Sequence, residues 1–230
     1  MGLKGLTIEE PVFGTNKFFA IGDVHGCLTC LEKLLEKLPI NWGEDFVIFL
    51  GDYIDRGPNP RGVIEKVMEL KKLYPQRIIT LKGNHEQMFE NFLKGKDVEV
   101  FLYNGGMKTL KDYYKEGKID IPEEHIEFVR NLLYYFETPE YIFVHAGLRP
   151  GKSLYEQDED DILWIRQSFY LTDYQFPKTI IFGHTPFEKP FIKEDRIGID
   201  TGCVYGGYLT AISLPDKKFY QVNCREVLYE

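Results

Sequence analysis

The chain has 230 residues, 43% hydrophobic and 28% charged. That is enough apolar material for one α/β domain with a full core and too much for a disordered chain. A formal charge of −8, with no basic stripe, argues against a nucleic acid as a stable partner. No stretch approaches the roughly 18 apolar residues of a membrane helix, and the start, MGLKGLTIEEPVFG, lacks a signal-peptide core. A myristoylation motif would need Ser or Thr where Leu6 stands. These features predict a cytoplasmic protein folded as a single domain over residues 1–230, with no membrane partner.

Taken in chain order, the predicted elements begin as an alternating series. It runs strand 17–21, helix 27–38, strand 46–50, helix 60–74, strand 77–81 and helix 84–94. The strand runs FFAI, FVIFL and RIITL are rich in β-branched and aromatic side chains and read as buried strands. A right-handed crossover helix fits each β-α-β interval. The first helix, CLTCLEKLLEKL, sets Leu28, Leu31, Leu35 and Leu38 at helical spacing and opens on Cys27 and Cys30. A C-x-x-C pair in isolation suggests redox or zinc chemistry. Cys203 and Cys224 form no second such pair, so the thiols read as structural. Pro60 and Pro122 fit first helical turns.

Residues 95–138 change character. They are polar, Tyr-rich and helical in period (EEHIEFVRNLLYYF), with no convincing strand. They predict a helical insert, either packing material or a cap beside a site. Strands are expected again at 141–144, 179–182 and 196–199, with the acidic loop YEQDEDDILWIR after the first of them. Two more, GYLTAISL and KFYQVN, are joined by Pro215-Asp216-Lys217 as a hairpin. Crossovers followed by hairpins predict an α/β fold with a mixed sheet or two packed sheets.

Six short segments each follow an apolar run: Asp23-Val-His25, Asp52-Tyr-Ile-Asp55-Arg56, Asn84-His85-Glu86, His145, His184 and Asp200. If the runs share one sheet, these residues converge at the carboxyl ends of its strands, where open α/β sheets bind ligands. Oxygen and imidazole donors without thiolates suit Mn, Fe or Zn. Asp52, directly after Gly51, is the best candidate for the anionic bridge that a close pair of divalent ions requires. Asp23 and His25 stand on alternate positions of an extended turn, with Gly22 and Gly26 letting the backbone approach closely. Of the five histidines only His125 lies outside these segments, so the joint pattern outweighs the weakness of each residue alone.

GDVHG (22–26), GDYIDRG (51–57) and GNHE (83–86), with about 25 residues between consecutive motifs, resemble the first three motifs of the phosphoprotein phosphatase family. HAG (145–147) and GHT (183–185) resemble its fourth and fifth, and the match runs from about 17 to 212. GHTPFEKP and GIDTGCVYGGYLTAISL are similar to compact bacterial and phage members, both serine/threonine phosphatases and symmetrical diadenosine-tetraphosphate hydrolases. The resemblance implies a calcineurin-like metallophosphoesterase β-sandwich of mixed sheets flanked by helices. It also implies two divalent ions, manganese foremost, with iron or zinc as alternatives. Asp23, His25 and Asp52 would hold the first ion, and Asn84, His145 and His184 would complete the second, with Asp52 shared.

The implied reaction is phosphoester hydrolysis by direct attack of a metal-bridging hydroxide, without a covalent enzyme intermediate. His85 would protonate the leaving oxygen and Asp55 would orient it. Arg56 would clamp the phosphate with its planar fork. A second phosphate arginine is expected after HAG. Arg166, in the W-x-R of DILWIRQSF, is the choice and Arg149 the competitor; a salt bridge to the acidic run 158–161 is the structural alternative for Arg166. Asp200 reads equally as support for a metal-bound histidine or as a turn residue, and Tyr205 as a substrate contact. Glu86 reads as a helix N-terminal charge. The expected substrate is phosphoserine or phosphothreonine and small aryl phosphates, with a symmetrical bis(5'-nucleosyl)-tetraphosphate as the alternative. An inactive binding module is a remote third reading, since every ligand is present. No regulatory subunit is implied.

Overall fold

The computed structural model describes residues 2–8 and 16–229; residues 9–15 of the amino-terminal segment read above lie outside them. The chain runs β1 (Gly5–Thr7), β2 (Phe18–Ile21), α1 (Leu28–Lys37), β3 (Phe46–Phe49), α2 (Pro60–Leu73), β4 (Ile78–Thr80) and α3 (Asn84–Leu93). The insert follows as α4 (Val98–Phe101), a π-helical turn (Leu102–Gly106), α5 (Met107–Asp112), a hairpin of β5 (Tyr114–Lys115) and β6 (Lys118–Ile119), and α6 (Glu123–Arg130). Then come β7 (Tyr135–Glu137), β8 (Tyr141–Val144), α7 (Glu159–Trp164), α8 (Gln167–Tyr170), β9 (Thr179–Phe182), β10 (Phe191–Lys193) and β11 (Arg196–Gly198). The last elements are β12 (Asp200–Thr201), β13 (Tyr208–Leu214), β14 (Lys218–Asn223) and α9 (Cys224–Tyr229).

Apart from the β5–β6 hairpin, the strands form two mixed sheets, the expected sandwich, so the strand ends converge without sharing one sheet. One has the order β1-β7-β8-β9-β11-β10; the other has β12-β13-β2-β3-β4, with β14 also on β13. They pack face to face, and the period of two decides which side chain goes where. Phe18, Ala20, Phe46 and Ile48 meet Phe143 and Ile181 between the sheets. The alternate residues Phe19, Ile21, Val47 and Phe49 face outward onto Leu31, Leu34, Val63 and Val67 of the first two helices. On the other sheet Ile142, Val144, Ile180 and Phe182 pack outward on Ile162, Leu163 and Phe169. Being covered on both faces is why these strands read as unbroken apolar runs.

The insert contains strand after all. Helix α6 ends at Arg130, with Asn131 at its C-cap, and Tyr135–Glu137 joins the first sheet beside β8. Tyr135 faces the outer cluster and Phe136 the inter-sheet core, a period-two pattern too short to stand out after a long helical one. Pro122 sits one position ahead of its helix, at the N-cap, whereas Pro60 occupies the first turn. Among the described residues no helix is long and apolar enough to cross a membrane.

Candidate active site

The parallel strands β2, β3 and β4 end next to Asp23, Asp52 and Asn84, and β8 and β9 end next to His145 and His184. The two sheets present these ends at one rim, so the donors converge without sharing a sheet. The loops are tight. His25 (φ +44°), Asp52 (+52°), Asp55 (+69°), Arg56 (+66°) and His184 (+61°) all adopt left-handed backbone, which costs such residues on the order of 1 kcal/mol or more each.

Hydrogen bonds hold the loops in that shape. Val24 and His25 donate their N–H groups to the Asp52 carbonyl at 3.1 and 2.8 Å. The buried Glu86 carboxylate accepts from the N–H groups of Asp52, Tyr53 and Gly83, each at 2.9 Å. Burial, then Asp52, pushes the Glu86 carboxyl up to about 8, and the backbone donors pull it back. Glu86 thus sits in the first turn of α3, where it was expected, and its backbone bonds make it the tie between the GDYID turn and that helix. A Cβ on Gly83 would meet Asp52 Oδ1 at 2.1 Å, so this close approach requires glycine.

Asp52 stands between two sets of donors. Its Oδ2 is 3.3 Å from His25 Nε2 and its Oδ1 is 3.6 Å from His145 Nε2. Burial opposes its charge, yet His145, His85 and His25 hold it well below the usual carboxylate range. His145 Nδ1 donates to the Leu50 carbonyl at 2.9 Å, which leaves Nε2 as a lone pair; that lone pair faces Asn84 Oδ1 at 2.9 Å. His25 Nδ1 likewise donates to the Ile54 carbonyl at 2.8 Å, and Arg56 aims a guanidinium N–H at its bare Nε2 at 2.9 Å. His184 Nδ1 lies 2.9 Å from Asn84 Oδ1, while its buried Nε2 has no partner. Lone pairs facing oxygens across hydrogen-bond distances are what cations relieve.

Asp23 accepts from the His184 N–H at 3.0 Å, and burial, then Asp200 and Asp52, push its carboxyl well up. The ligand atoms of His25, Asp52 and His85, and those of Asp52, His145 and His184, lie within 4.8 Å of one another in each group. Asp23 is absent from both groups but lines a cavity with His25 and His184. Buried carboxylates in excess, together with unprotonated imidazole nitrogens, make a donor set that fits two divalent ions.

Beside this cluster, His85 Nδ1 and Asp55 Oδ2 are 2.6 Å apart. The other Asp55 oxygen accepts from the Thr109 hydroxyl at 2.6 Å, and Thr109 Oγ1 in turn accepts from the Asp55 N–H at 3.0 Å. Burial pushes Asp55 up to about 7 against the pull of Thr109, and burial holds His85 down to about 3. Thr109 belongs to the insert, as does Gly105, whose carbonyl accepts from the Arg56 N–H at 3.3 Å. The insert is therefore neither simple packing nor a mere cap, because it supports the Asp55–Arg56 turn from behind. No sequence signal marks Thr109, 54 positions from its partner.

Asp23, His25, Arg56, Arg166, His184 and Tyr205 all line one cavity of about 100 Å³. Arg166 bonds Thr185 Oγ1 at 3.4 Å, and among the described residues no ion pair ties it to the acidic run. Arg149 makes that pair instead, with Nε 2.9 Å from Asp161 Oδ2, away from the cavity. Asp200 lines the cavity and accepts from the Gly202 N–H at 3.0 Å, the geometry of a turn. Tyr205 lies at the rim, with the Arg56 guanidinium 5.7 Å from its ring centroid.

The family model described as calcineurin-like phosphoesterase matches residues 17–207. The chain belongs to that family. It is a phosphoester hydrolase whose relatives use a dinuclear divalent metal centre, and its motifs fit the phosphoprotein phosphatase branch. It is 30% identical to the asymmetrical bis(5'-nucleosyl)-tetraphosphatase PrpE of Halalkalibacterium halodurans, over 92% of this chain and 96% of that one. Against the protein of the same name from Oceanobacillus iheyensis it is 32% identical, over 91% and 93%. Its fold is shared with the crystal structure of a proposed diadenosine tetraphosphatase (TM-score 0.77, 23% identity, 96% and 97% covered). It is also shared with a Saccharomyces cerevisiae protein serine/threonine phosphatase similar to human PP5 (TM-score 0.69, 16% identity, 96% and 83% covered).

Proposed function

We propose that this phosphoesterase hydrolyses a phosphoanhydride of a dinucleoside tetraphosphate, with phosphoserine and phosphothreonine esters as secondary substrates. This reverses the order expected from the sequence, where the short chain favours a phosphatase; the motifs describe machinery common to both reactions and say nothing of the leaving group. The carrying observation is the pair of bis(5'-nucleosyl)-tetraphosphatases matched over nine-tenths of both chains. Those relatives are named asymmetrical, so the expected cleavage releases a nucleoside triphosphate and a monophosphate, not the two diphosphates of the symmetrical alternative.

In this reading Asp23, His25, Asp52, Asn84, His145 and His184 hold two divalent ions, with manganese the first candidate. Bound there, such ions neutralise phosphate charge and make water acidic near neutral pH. Arg56 and Arg166 grip phosphate oxygens from the cavity wall. A cavity of about 100 Å³ admits a phosphoryl group and leaves the nucleosides at the rim, where the ring of Tyr205, 64% exposed, offers a stacking surface. His85, backed by Asp55, donates the proton that the leaving oxygen takes up.

The test is turnover by manganese-loaded protein of diadenosine tetraphosphate against a phosphoserine peptide at matched concentrations, with nucleotide products separated. A higher kcat/KM on the dinucleotide, with ATP and AMP as products, supports the reading. A tenfold preference for the phosphopeptide overturns it, and two ADP would restore the symmetrical alternative.

A further inference from the structure

All four cysteines of the chain meet at one buried point, none more than 2% exposed. They arrive from three separate places: Cys27 and Cys30 from the start of α1, Cys203 from the turn after β12, and Cys224 from the start of α9. The sulfurs of Cys30, Cys203 and Cys224 lie within 4.8 Å of one another; Cys27, three positions before Cys30, is outside that set and turns its thiol to the His25 carbonyl at 3.6 Å, so it would close a four-ligand site by a rotation of its side chain. Cys203 Sγ and Cys224 Sγ are 2.9 Å apart, well beyond the about 2.05 Å of a disulfide. The surroundings are apolar, formed by Leu31, Leu209 and Val222.

We propose that Cys27, Cys30, Cys203 and Cys224 form a closed tetrathiolate site for a structural zinc ion. Zinc takes four thiolates tetrahedrally at about 2.3 Å, which places the sulfurs roughly 3.8 Å apart. Soft sulfur donors set this site apart from the oxygen and imidazole donors of the catalytic rim. The lack of a second C-x-x-C argued against zinc in the sequence, but the fold supplies the other two ligands singly, 21 positions apart. Thiols used only as small hydrophobes have no reason to gather from three segments. An ion here ties the GDVHG loop, through Cys27, to the turn that carries Tyr205 and to the last helix. It thereby braces the floor of the phosphate cavity, whichever substrate the cavity takes.

Protein expressed in zinc-replete medium, purified under reducing conditions and loaded with manganese is titrated with p-hydroxymercuribenzoate while a zinc-responsive dye follows release. The mercurial displaces metal from thiolates and leaves imidazole–carboxylate sites alone. One zinc per chain, released in step with four thiols, is the expected result. Cobalt-substituted protein should add thiolate-to-cobalt charge-transfer absorption, which the catalytic donors cannot produce. Cys224→Ser should lose both signals, whereas Asp52→Asn keeps them. If Cys224→Ser does not fold, the wild-type cobalt spectrum alone decides. Four titratable thiols without zinc, or a cross-linked Cys203–Cys224 peptide with an intact mass two hydrogens light, overturns the proposal.

Discussion

Thr109 tests whether the insert takes part in catalysis. Its side chain is fully buried; the hydroxyl donates to Asp55 Oδ1 at 2.6 Å and accepts from the Asp55 N–H at 3.0 Å. Thr109→Val keeps the shape and removes both bonds. A hydrogen bond to a charged group contributes about 1.5–3 kcal/mol, and an unpaired buried N–H costs about 1–3 kcal/mol. Because Asp55 holds His85 Nδ1 at 2.6 Å, a loss of 1.5–3 kcal/mol felt in the transition state would lower kcat about 10–150-fold. The electrostatic change acts in the same direction. Thr109 pulls the Asp55 carboxyl down, so its loss raises Asp55 further and favours a neutral acid that cannot stabilise an imidazolium. The assay compares an alkyl phosphate, whose leaving oxygen needs a proton, with p-nitrophenyl phosphate, whose leaving group departs as a stable anion. The loss should be larger on the alkyl ester, and Thr109→Ser, which restores the hydroxyl, should recover most of it. A Val variant that loses stability to urea but keeps the wild-type ratio between the two substrates would refute the positioning role. So would a Ser variant no better than Val.

The remaining expectations concern metal, phosphate and protons. Asp52→Asn removes the one carboxylate that faces both histidine sets; elemental analysis should show both catalytic ions depleted, and loss of only one would mean that the bridge lies elsewhere. Arg166→Ala should raise KM and lower kcat/KM at unchanged melting temperature, while Arg149→Ala, whose partner is the distant Asp161, should leave kinetics alone; the opposite outcome would exchange their roles. In metal-free protein, Asp55 is raised to about 7, so its contribution to stability is full below about 3.9 and lost as pH rises toward 7. His85 is lowered to about 3, so its contribution is full above about 6.5 and lost as pH falls. Asp55→Asn leaves the histidine unopposed, and urea-unfolding stability should then rise more steeply than wild type between about pH 4 and 6.5, by up to about 1.4 kcal/mol per pH unit; parallel profiles would show that the two groups do not titrate this way.

Much of the fold was legible because burial on both faces writes a strand as an unbroken apolar run, and FFAI, FVIF, YIFV and TIIF all carry that mark. The same property hides which strands are neighbours. A run apolar on both faces fits either sheet, so one sheet and two could not be told apart from such segments. The three-residue strands GLT, YFE and FIK escaped because so short a stretch holds barely one period of alternation. At the rim, glycine-flanked Asp and His at the ends of apolar runs announce themselves. Their supports do not. Glu86 lies three positions from Gly83 yet also bonds Asp52 and Tyr53, 34 and 33 positions away. The cysteines were visible as residues but not as a group, since only the packing of α9 and the turn at Cys203 against α1 brings them together.

Left-handed backbone explains why the GDYIDRG segment can serve two tasks with adjacent side chains. In extended chain Asp55 and Arg56 would point to opposite faces. With both at positive φ, Asp55 turns inward to His85 and Thr109, and Arg56 turns to His25 and the cavity. Glycine at either position would relieve the strain but remove the group that the turn exists to aim. The cost is met by backbone bonds that outlast any one side chain: Gly105 on Arg56, and the Asp52 carbonyl on Val24 and His25. Conformational strain is therefore concentrated where the phosphate would sit, while the exposed ring of Tyr205 at the cavity rim stands on backbone of ordinary φ. Substitution of Tyr205 is therefore expected to act on the rim without disturbing the strained turn behind it.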